Sequence, residues 1–463
     1  MSQDVDPSNQ EDKGGPDWIA IGVTIASLVL LIVFSPWVLN IQIGFLIIQV
    51  VLISIVIWQA CDPFADAAQW VGEKLRLPGS VRGATLDAVA SSMPELFSGI
   101  FFVVVAVMSV KSDSVTEMAQ TGAEGYGSTL ATCAGSAVYN MILIPAFCGI
   151  VISIYRKSQP TVDVEPEVIS RDGMWFMACE LVLIAFLFND QMHWWMGLVF
   201  IGMYVGYIVH LFVDAKRYQR AMDAIHAHLG EVGHDTPTEQ IVATLQEENI
   251  KATHMLVEKI KSSADEDEED ETDSAGALYG MFDIPLNGLT ATIVLLVCTG
   301  IAAISCYWLV EVTNETAHVL NVPVFFVAVI LAAAASSVPD TFLSIGAAMR
   351  GDDSGAVSNV FGSNIFDICI CLSIPLLVNS YLIGWQPVQL VQDGKPIEGL
   401  VDLRLLLVTL SAITLLVLWH RRQLTRAKSY FLCFLYALFI GYAIAGSFGF
   451  SIVGIFEQLF LGT

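Results

Sequence analysis

Charge is scarce in this chain, and positive charge scarcest of all. Only 14% of its 463 residues are Asp, Glu, Lys or Arg, and 21 Lys and Arg stand against 46 Asp and Glu. A soluble domain carries about a quarter of its residues charged, and a nucleic-acid surface needs clustered basic side chains; neither class fits. The net charge of −25 does not describe the body of the chain, because much of it lies in the first 17 residues and in the run Asp265-Glu266-Asp267-Glu268-Glu269-Asp270-Glu271. Blocks of like charge stay solvated, and this run reads as a charged tether rather than a calcium-binding EF loop, since Asp270 stands where a loop beginning at Asp265 needs glycine. The nine cysteines lie in or beside apolar stretches, without zinc spacing or the pattern of a secreted disulfide framework, and read as small core residues. The acidic leader offers Lys13 as its one basic residue, a poor start for a cleaved signal peptide, so an uncleaved extra helix is expected there.

What the chain has in abundance is apolar sequence, 55% of it, in runs of about twenty, the length that crosses a hydrocarbon core. The expected spans are 18–39, 41–60, 84–110, 127–153, 173–190, 194–214, 288–310, 322–349, 355–378, 403–420 and 429–447. This is an all-α polytopic membrane protein. The expected organisation is an acidic leader with the extra helix over 1–40, a first repeat over 41–214, an acidic loop over 215–287 and a second repeat over 288–463.

Basic residues in short loops mark the cytoplasmic side. Lys74, Arg76 and Arg82 fall between the second and third spans, Arg156, Lys157 and Arg171 between the fourth and fifth, and Arg421, Arg422, Arg426 and Lys428 between the last two; Lys216, Arg217 and Arg220 open the long loop. The loops at 111–126, 311–321 and 379–402 hold almost none beyond Lys111 and Lys395 and are expected outside, where Asn314-Glu315-Thr316 would be a glycosylation sequon. The N-terminus and the 215–287 loop are then cytoplasmic.

Two runs inside the spans repeat one pattern, Ser91-Ser92-Met93-Pro94-Glu95 and Ser336-Ser337-Val338-Pro339-Asp340. On the loop-charge topology they cross in opposite directions. That is an inverted-topology repeat, five spans in each half and ten core helices in all, with a substrate site near the midplane. A charged side chain at that depth costs about 2.5–3.5 kcal/mol even on lenient scales, so two equivalent carboxylates imply a task. In each run the hydroxyls and the carboxylate share a helix face, and Pro94 and Pro339 free carbonyl oxygens near Ala90 and Ala335. Each repeat continues into a second matched element, Gly135-Ser136-Ala137-Val138-Tyr139-Asn140 and Gly362-Ser363-Asn364-Ile365-Phe366-Asp367. Four helices thus offer carboxylate, amide, hydroxyl and carbonyl oxygens, without histidine or cysteine. Such a set suits calcium and sodium. Asp87 lies about 12 Å before Glu95 along a regular helix, outside the same coordination shell unless the helix unwinds; it reads as a water-facing or paired acid, with an access-path or proton-coupled site as the alternative. Glu180, in an outer span, is expected to be a structural hydrogen-bond partner.

Together these elements resemble the cation/calcium exchanger superfamily, and within it the potassium-dependent sodium/calcium exchangers. The closer likeness rests on Cys61-Asp62, Gly83-Ala84-Thr85, Pro94-Glu95-Leu96-Phe97, Gly135 to Asn140, Arg171-Asp172 with Trp194-Trp195, and Gly362 to Asp367. The resemblance implies that Glu95 and Asp340 hold calcium or sodium, helped by Ser91, Ser92, Ser336, Ser337, Ser136, Asn140, Ser363 and the backbone of Ala88 and Ala333, with Asp367 linked to potassium. Ala90 and Ala335 replace usual glycines, Ile330 a threonine and Asp87 an apolar residue, departures that bear on stoichiometry and sodium affinity. The implied function is antiport of calcium against sodium, with potassium co-transported, by alternating access and with no cofactor or chemical catalysis. The rivals are a calcium/proton exchanger, which Asp87 and the altered glycines favour, and an intramembrane aspartyl protease using Asp340 and Asp367. Against the first, proton-coupled relatives carry Gly-Asn…Glu in the second helix.

Overall fold

In a computed structural model, the described residues are 42–450 apart from 111–114, 158, 233–235, 248–256, 258–259, 262–273, 278–280, 393–394 and 397–399, with a few positions between 21 and 29. The expected first span and the acidic run lie for the most part outside them.

The described apolar segments are helical, as a membrane-spanning backbone must be to satisfy its own polar groups. The principal helices are α1 (Gln42–Lys74), α2 (Gly79–Ser109), α3 (Thr116–Tyr155), α4 (Pro166–Leu187), α5 (Trp194–Val232), α6 (Thr238–Glu247), α7 (Gly288–Leu320), α8 (Val324–Met349), α9 (Asp353–Leu382), α10 (Leu400–Trp419) and α11 (Arg426–Ser447). Among the described residues eight of these are long and apolar enough to span a membrane. Of the other two core candidates, α4 carries Glu167, Arg171, Asp172 and Glu180, and α10 is a 20-residue helix, Leu400–Trp419, of largely apolar sequence.

Helices α2 and α8 are broken in the same way. Each has a π-helical turn, Gly83–Asp87 and Ala328–Ala332, then one short α-helical turn, then an interruption at a serine. The interruptions have nearly identical backbones, Ser92 at φ −91°, ψ 6° and Ser337 at φ −86°, ψ 2°. Pro94 and Pro339 cause them: without an N–H a proline cannot continue the preceding helix, but it suits the first turn of a new one. Helices α3 and α9 carry matching π-turns, Tyr139–Leu143 and Asp367–Cys371. Such turns widen a helix and recur at functional sites.

The halves interlock through glycine. A Cβ on Gly362 of α9 would lie 2.6 Å from the Ala84 Cα of α2, and one on Gly135 of α3 would strike the carbonyl of Val329 in α8. The second helix of each half therefore rests on the π-turn of the other half, as close as a hydrogen side chain permits.

Arg82, near the start of α2, donates from Nη2 to Asp352 Oδ2 at 2.9 Å, just beyond the end of α8. The two broken helices thus run in opposite directions. The same end gathers Arg156 on Asp353 (2.5 Å), Arg76 near Asp223 (3.7 Å), Arg171 on Asp172 (2.6 Å), and the strand pair Val162–Asp163 with Gln423–Leu424. The opposite end holds the Gln191–Met192 pairing with Val388–Gln389 and the Trp194–Trp385 contact.

In the long loop residues 216–230 belong to the tail of α5, and α6 follows at Thr238–Glu247. They share an apolar contact through Ile225, Leu229, Ile241, Val242 and Leu245. The return segment pairs Ser274–Ala277 antiparallel with Phe282–Pro285. It docks on α1 where Asp66 Oδ2 accepts from the Gly276 N–H at 2.9 Å.

Candidate cation site

The interruptions in α2 and α8 turn Glu95 and Asp340 into the first turns of new helices, whose free N–H groups favour negative charge. Both carboxylates are wholly buried, as are Asp367, Ser91, Ser92, Ser136, Asn140, Ser336, Ser337 and Ser363.

Ser136 is the centre of contact. Its Oγ lies 3.1 Å from Glu95 Oε1, 3.0 Å from Asp367 Oδ2 and 2.9 Å from Ser337 Oγ. Ser337 also donates to Glu95 Oε1 at 3.2 Å. Around Asp340, Ser363 Oγ donates to Oδ1 at 2.6 Å and Asn140 Nδ2 to Oδ2 at 3.4 Å, while Ser91 Oγ lies 3.3 Å from Ser363 Oγ. Six residues from each half contribute to this one cluster if Ala88 and Ala333 are counted, but the latter pair play a backbone part: Ala88 O accepts from the Ser92 N–H and Ala333 O from the Ser337 N–H, at 3.0 and 3.1 Å. Ser336 bonds back to Ala333 O at 3.2 Å, and Ser91 to Asp87 O at 2.8 Å, the usual resting place of a helical hydroxyl.

Three carboxylates sit here at zero exposure and none is in an ion pair. Burying a charge without a counter-charge costs several kcal/mol, and close like charges add repulsion. A cation is the economical compensation. Several oxygens in the cluster have no hydrogen-bond partner, namely Ser92 Oγ, Glu95 Oε2, Asn140 Oδ1 and Asp367 Oδ1. Free lone pairs beside buried carboxylates are what a hard cation requires. Among the described residues no three of His, Cys, Asp and Glu converge on one point, so neutral hydroxyls and amides must complete any coordination.

Two residues stand apart from this cluster. Asp87 is paired with Arg82, Nε to Oδ2 at 3.4 Å, at the charged end of α2. Glu180 accepts from Ser411 Oγ at 2.9 Å, as a structural partner would. One contact was not anticipated. Asn359 of α9 directs Nδ2 to Asp340 Oδ1 at 3.5 Å and to Ser344 Oγ at 2.9 Å. It lies one turn before Ser363, outside the Gly-Ser motif, and only its i−4 spacing could have pointed to it.

The chain has relatives among known proteins. The family model described as sodium/calcium exchanger protein matches residues 45–213 and 290–445, well over half of the chain. Sodium/potassium/calcium exchanger 4 of Mus musculus is 32% identical over 157 residues, which cover 34% of this chain and only 21% of that relative's length. Sodium/potassium/calcium exchanger 5 of Homo sapiens is 25% identical over 415 residues, 77% of this chain and 74% of that one. In fold, the chain is similar to the crystal structure of the H+/Ca2+ exchanger CAX, with a TM-score of 0.56 at 13% identity over 93% of this chain and 95% of the other.

Proposed function

Since the chain belongs to the sodium/calcium exchanger protein family, we propose that it is a secondary antiporter that moves calcium against sodium across a membrane, with potassium carried alongside calcium. The observation that carries this reading is Ser136, which joins Glu95 of its own half to Asp367 of the other within 3.1 Å. A cation held there touches both halves, so its binding is linked to how they sit against each other.

Calcium suits the set because two or three carboxylates offset its charge while hydroxyl and amide oxygens fill the remaining positions. Sodium suits parts of the same set, so the two ions compete. An ion shifts a two-state equilibrium only by its differential affinity for the two states. With the carboxylates uncompensated, moving one half past the other would carry buried negative charge, and that step is slow; with calcium or sodium in place it is not. Exchange rather than leak follows. The basic end of the molecule, with the 215–287 loop, is assigned to the cytoplasmic side by the excess of Lys and Arg in its short loops.

The protease alternative gives Glu95 no role, whereas here Glu95 is one of the central contacts. The proton-coupled alternative is separated by experiment. Purified protein is reconstituted in vesicles, and calcium uptake is followed with sodium, potassium and pH gradients imposed one at a time. Uptake is expected to follow an outward sodium gradient and to rise with potassium on the calcium side. Uptake that follows the proton gradient and ignores sodium would sink the proposal.

A further inference from the structure

Asn359 and Ser344 sit one helical turn beyond the cluster, Ser344 four residues after Asp340 on α8 and Asn359 four residues before Ser363 on α9. One turn is about 5.4 Å, and on both helices it leads toward the end where Arg82 meets Asp352. Both side chains are fully enclosed, at 0% and 2% exposure. The Asn359 amide gives its Nδ2 to Ser344 Oγ and Asp340 Oδ1. Its Oδ1 is buried without any hydrogen-bond partner. An amide oxygen hidden from water and left unpaired costs about 1–3 kcal/mol.

The first half offers nothing equivalent. Four residues after Glu95 stands Gly99, and four before Ser136 stands Thr132, whose hydroxyl is donated to its own helix at Ser128 O, 3.0 Å. The extra amide and hydroxyl therefore break the internal symmetry, and they do so on the Asp340 side alone.

We propose that Asn359 and Ser344, sharing Asp340 Oδ1, form an additional subsite for a monovalent alkali cation, one turn from the main cluster. In the arrangement described, the Nδ2 group acts as a neutral stand-in for the cation, giving Asp340 a donor. Half a turn about the last side-chain torsion exchanges Nδ2 for Oδ1 and directs three oxygens, from amide, hydroxyl and carboxylate, at one point. One shared carboxylate with neutral partners balances one positive charge; a divalent ion would be left with excess charge in a buried place. The subsite lies between the charged end and the cluster, so it also serves as a step on the path between them.

This inference rests on the exchanger reading for its purpose but not for its test, which is equilibrium binding to the purified full chain in detergent. Binding of 22Na+ and of 86Rb+, the latter standing for potassium, is measured for the unaltered protein and for Asn359→Ala and Ser344→Ala, with saturable 45Ca2+ binding as the check of folding. The expected result is a saturable monovalent component weakened by at least about tenfold in Asn359→Ala and several-fold in Ser344→Ala. The isotope affected identifies the ion. Restoration by Asn359→Asp, which keeps an oxygen in place, would separate ligation from mere packing. Identical monovalent stoichiometry and affinity in both alanine variants would overturn the subsite, whatever the flux measurements give. A protein that binds in this way yet exchanges nothing would overturn the antiporter reading and leave the subsite standing.

Discussion

Ser136 and Asp367 come from opposite halves of the chain and meet through a hydrogen bond of 3.0 Å from Oγ to Oδ2. The contact is unequal across the internal symmetry, because Asn140 occupies the place in the first half that Asp367 holds in the second. Asn140 turns its amide to Asp340 instead. The cluster thus has an odd carboxylate, and on the proposed exchanger reading the third charge would offset a cation beyond a single calcium. Replacing Asp367 by Asn keeps the shape and removes that charge. Potassium stimulation of calcium uptake is then expected to vanish while sodium-driven exchange persists, as measured in vesicles with potassium replaced by choline. Retention of full potassium stimulation would detach Asp367 from this role.

Glu95 and Asp340 carry a different expectation. Each is wholly buried and bonded to serines of the second helices. Glu95→Gln and Asp340→Asn leave those contacts sterically possible, but each removes one of the three carboxylate charges of the cluster. Calcium affinity is expected to fall by at least about a hundredfold, roughly 2.7 kcal/mol, in either variant. Isothermal titration of the purified protein measures it, with circular dichroism to show that the helices remain. A tenfold or smaller loss in both variants would mean that neutral oxygens, not these carboxylates, dominate binding.

How much of this was legible in the sequence follows from where each signal resides. The paired Ser-x-Pro-acid runs show themselves because a proline and an acid are both conspicuous in an apolar span. The π-turns do not show, since Gly83–Asp87 and Ala328–Ala332 share no residue pattern that a local rule would flag. The Arg82–Asp352 pair joins positions 270 apart, and no periodicity connects them. Asn359 hides for a related reason: its counterpart by repeat position is Thr132, so duplication, which exposed the other residues, masks this one. Asp87 stood out as an unexplained acid, and its partner Arg82 lay only five residues away. That spacing fits no regular α-helical turn, but the π-turn between them brings the two together.

Gly362 and Gly135 lead to a packing prediction. A Cβ at Gly362 would sit 2.6 Å from Ala84 backbone atoms, and backbone cannot rotate aside as a long side chain can. Gly362→Ala is expected to force the halves apart, costing about 1–3 kcal/mol as overpacked interiors do. Thermal unfolding in detergent should show a lowered midpoint, with exchange reduced further than stability because the same contact positions Ser363. Gly202, whose Cβ would meet nothing within 4 Å, is the control: Gly202→Ala should leave both properties as they are. Equal behaviour of the two variants would show that the close approach has no energetic weight.

The charged end offers the last test. Arg82 lies between Asp87 and Asp352, at 3.4 and 2.9 Å, with its side chain only 13% exposed. Asp352 Oδ1 also accepts from the Gly355 N–H at 2.8 Å and so caps the start of α9. A partly buried pair of this kind ties the start of one broken helix to the start of the other half's second helix. Removing either partner leaves the other short of compensation, and removing both relieves part of that penalty. The double-mutant cycle of Arg82→Gln and Asp352→Asn is therefore expected to give a coupling of about 1–2 kcal/mol in unfolding free energy, within the range measured for contacting residues. Because Asp87 retains the guanidinium when Asp352 is neutralised, Asp352→Asn should be the milder single change. Additive effects, or a milder Arg82→Gln, would remove the bridge from the forces that tie these two helices together.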